Sequence, residues 1–468
     1  MKENEKKKPN IILINCDDLG YGDLGCYGSK VNSTPAVDKL AAEGVKFTDF
    51  YMSSACCTPS RAGMMTGCYA QRISFFKGEN ELKSSVLFPG DAEGLHQDEI
   101  TIATLLKKQG YATSLVGKWH LGDQKEFLPT SHGFDSYYGL PYSNDMGYGC
   151  GYKMLNEEAT RLCRFGGVDD PPLPLIRDED VIQEQPDQAG ITERYTEECV
   201  KFIRKNKEKP FFLYFAHMYV HLPLYVPDRF MKESKNGAYG AAVAAIDWSV
   251  AVIMDELKKL GIDDNTMVIF TSDNGGVPKE FNCGASNEPL KGSKGTTYEG
   301  GIRVPCIVRM PNVVPKGVEN SELVTAMDFL PTIANLAGTN EPQDRIIDGH
   351  NIMDLIEDKP NAKTPYEAFY YYIDQDLTSV RSGKWKLWFK ENELYDLEND
   401  VAETNNLYSQ HPDVVEKLNK LGDIAREDMG DINTGQKGAN RRPIGRIDNP
   451  KPLTILDHNH PYMIAMYD

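Results

Sequence analysis

Four short apolar runs, each stopping against ionisable or amide side chains, constrain this chain more than any other feature. Residues 10–15 (NIILIN) lead into Cys16-Asp17-Asp18, and residues 111–116 lead into Gly117-Lys118-Trp119-His120. Residues 210–215 lead into Ala216-His217 and then His221, and residues 267–271 lead into Ser272-Asp273-Asn274-Gly275. Short β-branched or aromatic runs without polar alternation predict strands buried on both faces, the habit of a parallel sheet. Helical spacing alternates with them. Thr34-Pro35 caps and opens a helix through Val37 and Leu40 that stops near Gly44. Ile102, Leu105 and Leu106 form a second, closed by Lys107, Lys108 and Gly110, and Val243, Ile246, Val250, Ile253, Met254 and Leu257 stripe a third between residues 239 and 260. This alternation predicts an α/β fold with a large, mostly parallel sheet sandwiched by helices. Ligands gather at the carboxyl ends of the strands in such sheets, which is where Asp17, Asp18, Lys118, His120, His221, Asp273 and Asn274 stand.

Beyond that core the texture changes twice. Residues 141–190 show no periodicity, and Gly147-Tyr148-Gly149-Cys150-Gly151 and Asp169-Asp170-Pro171-Pro172-Leu173-Pro174 read as irregular surface loop. From about residue 366, Phe369-Tyr370-Tyr371-Tyr372 and the run 379–388 predict antiparallel strands, followed by a helix from 412 to about 421 and an extended tail beyond 435. The expected division is a catalytic α/β domain over 1–365 and a smaller C-terminal α+β subdomain over 366–468.

Charge narrows the chemistry. A net charge of -18 disfavours nucleic acid, whose binders neutralise phosphates with Lys and Arg. It does not exclude an anionic ester, because local cations and a metal can reverse the potential inside a cleft. No apolar stretch reads as a bilayer span, so no membrane partner is expected. Residues 1–9 lack the apolar segment of a signal peptide. The chain as it stands therefore reads as cytoplasmic, or as periplasmic or secreted if a signal peptide has been removed. The ten cysteines contain no C-x-x-C pair, adjacent Cys56 and Cys57 suit a disulfide poorly, and most of the others read as reduced core or loop residues.

Asp17-Asp18 and Asp273-Asn274 offer carboxylate and amide oxygens without His or Cys, a donor set for a hard cation such as calcium or magnesium. Either pair alone could equally cap a turn. Gly20-x-Gly22-x-x-Gly25 follows the first pair and mimics a dinucleotide fingerprint, but two carboxylates before it would repel pyrophosphate, and turn residues follow where a helix would be required. Cys57-Thr58-Pro59-Ser60-Arg61, with Ala62-Gly63-Met64-Met65-Thr66-Gly67 behind it, places Cys57 near a helix N-terminus, where anions are stabilised. A buried structural cysteine is the plain alternative.

This segment resembles the C-x-P-S-R signature of the type I, formylglycine-dependent sulfatases, with Cys57 and not Cys56 in register with Arg61. Further motifs follow in family order: Gly117-Lys118-Trp119-His120-Leu121-Gly122, His221-Leu222-Pro223, and residues 294–303 (KGTTYEGGIR). Phe127-Leu128-Pro129, His132-Gly133-Phe134-Asp135 and Tyr138-Gly139-Leu140-Pro141 are similar to the arylsulfatase A-like branch. The resemblance spans about residues 9–407 and implies an alkaline-phosphatase-like fold and hydrolysis of a sulfate ester. It implies that Cys57 becomes formylglycine through a formylglycine-generating or anaerobic sulfatase-maturing enzyme. Asp17, Asp18, Asp273, Asn274 and residue 57 would then hold one calcium ion. One hydroxyl of the aldehyde hydrate would attack sulfur, and deprotonation of the other would expel sulfate. Arg61 would hold the hydrate and the carboxylates, Lys118 and Lys294 would clamp sulfate oxygens, His120 would orient or deprotonate the hydrate, and His221 would protonate the leaving oxygen. His217 would stand behind them, and His96, His132, His350, His411, His458 and His460 read as structural.

The rival enzyme is a phosphatase or phosphodiesterase of the same wider fold, which would use Ser or Thr with two zinc ions and need histidine ligands beside the Asp pairs. The non-enzymatic rival is a sulfoglycan-binding pseudoenzyme with Cys57 unconverted. The expected substrate is small: a monosulfated sugar, a short oligosaccharide, or an aryl or steroid sulfate. The acidic surface would repel distal charges of a long polysulfated chain. Residues 142–186 and the tail are the expected rim of the pocket.

Overall fold

All four apolar runs become strands of one ten-stranded sheet. The computed structural model describes residues 7–147 and 171–453. In chain order the strands are β1 (Asn10–Cys16), β2 (Val45–Phe47), β3 (Ala112–Gly117), β4 (Ser136–Gly139) and β5 (Pro174–Arg177). β6 (Asp180–Glu184), β7 (Phe211–Ala216), β8 (Thr266–Ser272), β9 (Cys306–Arg309) and β10 (Val318–Asn320) complete the set. They lie in the order β10-β2-β9-β8-β1-β7-β3-β4-β5-β6. The central strands β8, β1, β7, β3 and β4 are parallel. Only β9 and β5 run against the rest, so the sheet is mixed but predominantly parallel.

Side-chain alternation sorts each central strand between two apolar layers. Ile11 and Leu13 join Phe212, Tyr214, Met267 and Ile269 on one face, while Ile12 and Ile14 join Leu213, Phe215, Val268 and Phe270 on the other. Each such side chain is fully buried, contributing roughly 1.5–3 kcal/mol. The first layer is covered by α2 (Cys57–Thr66), α3 (Ile102–Lys108) and α6 (Phe329–Leu336), the second by α1 (Pro35–Ala42), α4 (Ile191–Asn206) and α5 (Gly237–Lys259). Helix α5 corrects one expectation. By length and composition it could cross a bilayer, yet 67% of its apolar window is buried inside the protein, and Tyr239, Val243, Ile246, Val250, Ile253 and Leu257 all lie in the second layer.

A separate antiparallel sheet follows, with β11 (Phe369–Ile373), β12 (Asp376–Ser382), β13 (Trp385–Trp388) and β14 (Glu393–Asp396) in sequential order. Helix α7 (Pro412–Met429) lays Val415, Leu418 and Leu421 on Val380, Leu387 and Leu394. This helix runs well past residue 421, where it was expected to stop. Gly422 lies against the Phe389 ring with no room for a Cβ, so this glycine serves close packing and does not end the helix.

One more expectation is corrected. Residues 141–190 are not all irregular: β5 and β6 form an antiparallel pair that extends the sheet beyond β4. The sequence Gly147–Gly151 and the stretch around 169–170 lie largely outside the described residues. The tail beyond 435 is extended as expected and lies against the N-terminal part of the chain: Gly445 and Arg446 pair with Gly94 and Glu93, and Arg442 meets Glu99 at 2.7 Å. The glycine triplet after Asp18 forms 3-10 turns at Tyr21–Asp23 and Gly25–Tyr27, with no α-helix to bind a pyrophosphate.

Candidate active site

The carboxyl ends of β1, β3, β7 and β8 converge, and the predicted residues meet there. Asp17 and Asp18 follow β1, Lys118 follows β3, His221 lies beyond β7, and Asp273 and Asn274 follow β8. Cys57 is the first residue of α2, so its side chain sits at the positive end of the helix. Two backbones at the site adopt the left-handed region that L-residues seldom occupy: Asp18 at φ 63 and His120 at φ 65. Gly117, at φ 117, must be glycine, because a Cβ there would collide with the Ala216 carbonyl. Lys118 can therefore turn sharply out of β3.

Cys57 Sγ lies 3.4 Å from Asp17 Oδ1 and 4.0 Å from Asp18 Oδ1. The ligand atoms of Asp17, Asp18, Cys57 and His221 all fall within 4.8 Å of one another. Lys118 Nζ donates to Asp17 Oδ2 at 2.6 Å, and Lys294 Nζ straddles both Asp18 oxygens at 2.8 Å. Arg61 donates from Nε to Asp273 Oδ2 at 2.8 Å and from Nη1 to the Lys118 carbonyl at 2.9 Å, joining the ends of β8 and β3. Asn274 Nδ2 donates to Asp18 Oδ1 at 2.8 Å, whereas its Oδ1 is buried with no partner. An orphaned amide oxygen beside three buried carboxylates fits a hard, oxygen-seeking cation.

The electrostatics agree. Burial would raise the Asp17 carboxyl, but Lys118, His221 and Arg61 hold it well below the usual range. Asp273 is pushed up to about 6 by burial, against the pull of Arg61 and with Asp17 adding repulsion. Burial also drives the Cys57 thiol well above its ordinary value, outweighing Lys118 and Lys294 while Asp17 adds to the rise. An unmodified Cys57 is therefore a protonated, weakly nucleophilic thiol. His120 is held neutral by burial and by Lys118 and Arg61. Its Nε2 lies 3.0 Å from the Leu87 carbonyl and must donate to it, leaving Nδ1 a buried acceptor with no partner.

His217, by contrast, turns away: its Nε2 lies 3.1 Å from Ser249 Oγ and its ring stacks near Phe215. Sequence reasoning missed Asn144, which is fully buried with its Oδ1 3.1 Å from His221 Nδ1. The available signal was positional. Asn144 follows β4 as Lys118 follows β3, but β4 is only four residues long and was hidden among turn-forming residues. Also missed was the buried cluster behind Lys294: Glu299 accepts from Tyr51, Tyr371 and Lys386, and Lys386 also meets Glu403 at 3.0 Å.

Residues 9–339 match the family model described as Sulfatase, and residues 293–426 match that described as N-sulphoglucosamine sulphohydrolase, C-terminal. The chain belongs to the sulfatase family. Human steryl-sulfatase is 36% identical over 446 residues, covering 82% of this chain and 76% of the relative. Human arylsulfatase A is 37% identical over 394 residues, covering 82% of this chain and 75% of its own. The solved structure of Ps i-CgsB in complex with k-i-k-neocarrahexaose superposes with a TM-score of 0.76 at 32% identity, covering 89% of this chain and 92% of that one. This sulfatase is accordingly a sulfuric ester hydrolase of the alkaline-phosphatase-like fold, and its substrates are sulfated.

Proposed function

We propose that this sulfatase acts through formylglycine made from Cys57 and one calcium ion held by Asp17, Asp18, Asp273, Asn274 and residue 57. The observation that carries the reading is the approach of Cys57 Sγ to Asp17 and Asp18 beside the unpartnered Asn274 oxygen. With the ion and the aldehyde hydrate in place, the site would gain a hydroxyl of lowered pKa and a Lewis acid for the sulfate oxygens.

The remaining roles belong to this chain's own side chains. Lys118 and Lys294 neutralise Asp17 and Asp18 in the present arrangement, and calcium would release their ammonium groups to clamp sulfate oxygens. Arg61, fully buried, holds Asp273 and the end of β3 in register. The bare Nδ1 of His120 is an acceptor for a proton of the hydrate. His221 presents Nε2 to the site, 3.8 Å from Asp18 Oδ2, and protonates the leaving oxygen. The substrate reading is a small sulfated sugar, short oligosaccharide, or aryl or steroid sulfate, in keeping with the net charge of -18.

Co-expression with a formylglycine-generating or anaerobic maturing enzyme, followed by mass analysis of the tryptic peptide 47–61, tests the conversion. The peptide is expected to carry an aldehyde or its hydrate where the thiol of Cys57 stood. The matured protein is expected to release sulfate from nitrophenyl sulfate, to lose that activity to a chelator, and to regain it with calcium. Faster turnover of nitrophenyl phosphate, or full activity with the thiol intact, would refute the reading.

A further inference from the structure

His221 is set by a buried amide that none of the motifs contains. Asn144 Nδ2 donates to the Pro223 carbonyl at 3.0 Å and to Gln188 Oε1 at 2.9 Å. A peptide carbonyl can only accept, so the amide's orientation is fixed with its Oδ1 towards His221. That oxygen lies 3.1 Å from His221 Nδ1, and the Leu222 carbonyl lies 2.6 Å from the same nitrogen. Both neighbours accept, so Nδ1 carries the hydrogen, and Nε2 is the only ring nitrogen free to exchange a proton with the site. Gln188 Nε2 closes the circuit on the Asn144 backbone carbonyl at 3.2 Å. Asn144 is fully buried and Gln188 nearly so.

We infer that Asn144 is a positioning residue for the reaction, fixing the tautomer and ring plane of His221 so that its Nε2 delivers the proton to the leaving oxygen. The inference rests on the acid role proposed above for His221. A neutral amide suits this task. It accepts from Nδ1 in either charge state of the ring, whereas a carboxylate would add another anion beside Asp17 and Asp18. The step balances: a hydrate oxygen of residue 57 would bond to sulfur as the ester's sulfur–oxygen bond breaks, and the electron pair of the broken bond stays on the leaving oxygen. The Nε2 proton of the doubly protonated ring caps it, leaving neutral His221 with its hydrogen on Nδ1.

Leaving-group dependence separates positioning from general support of the fold. An alkyl sulfate needs its leaving oxygen protonated, and nitrophenyl sulfate hardly does. Asn144→Leu is expected to lower kcat/KM for an alkyl sulfate by roughly 10- to 100-fold more than for nitrophenyl sulfate, the loss of one hydrogen bond to a charged group. Equal losses on both esters in Asn144→Leu would overturn the inference. His221→Ala provides the reference: if it fails to discriminate between the esters, the acid role itself is wrong. The tautomer can be read without turnover. In histidine-15N-labelled wild-type protein, the His221 signals, identified by their loss in His221→Ala, should report hydrogen on Nδ1, and hydrogen on Nε2 alone in the neutral ring would sink the proposal.

Discussion

Asn274 shows how one atom can point to an absent partner. Its amide nitrogen is spoken for by Asp18, and its oxygen is buried and bonded to nothing. Leaving such an acceptor unsatisfied costs about 1–3 kcal/mol, a cost that a bound cation removes. Asn274→Ala is expected to weaken calcium binding by about 10- to 100-fold, measured by titration calorimetry, with little change in melting temperature of the calcium-free protein. Asp17, Asp18, Lys118, Asp273 and Asn274 were legible because each stands just past the end of a buried strand, a rule that needs only the local sequence, whereas Cys57, Arg61 and Lys294 were legible through the family resemblance. Asn144 was not, because its meaning lies in His221, Pro223 and Gln188, which only the fold brings beside it.

Among the elements, the strands and helices with long apolar patterns were the readable ones, and tertiary context decided the rest. β5 is four residues opened by a proline, too short to show a period, and it exists because β4 offers it an open edge. The helix expected to stop near residue 421 continues through Gly422, which packs against Phe389. The short segment carrying Lys294 is fixed from behind. Glu299, five residues on, is fully buried, and burial alone would raise its carboxyl. Lys386, Arg303, Arg381 and the Tyr51 hydroxyl overcome this and hold it at about 2, against an ordinary 4.5. The folded value lies below the unfolded one, so the stabilisation is fully present above about pH 4.5 and is lost as the pH falls towards 2. The gap corresponds to roughly 3 kcal/mol. Urea unfolding of wild type and Glu299→Gln across pH 2–7 should show a wild-type advantage of that order near neutrality that vanishes in acid. An advantage independent of pH would assign the effect to packing.

For the molecule as a whole, the two sheets act together: the first brings Asp17, Asp18, Lys118, Asp273 and Asn274 to one edge, and the second, through Lys386 and Glu403, braces the segment that brings Lys294 to them. In the site the carboxylates of Asp17, Asp18 and Asp273 are balanced by Lys118, Lys294 and Arg61. A divalent ion would tip that balance positive within a protein of net charge -18, drawing a sulfate ester into the cleft. Calorimetric titration of chelator-stripped protein with calcium decides whether these oxygens form one metal site. The expected result is a single ion per chain, with binding abolished in Asp18→Ala and Asp273→Ala. Absence of binding in the wild type, or binding undiminished in those variants, would contradict the account.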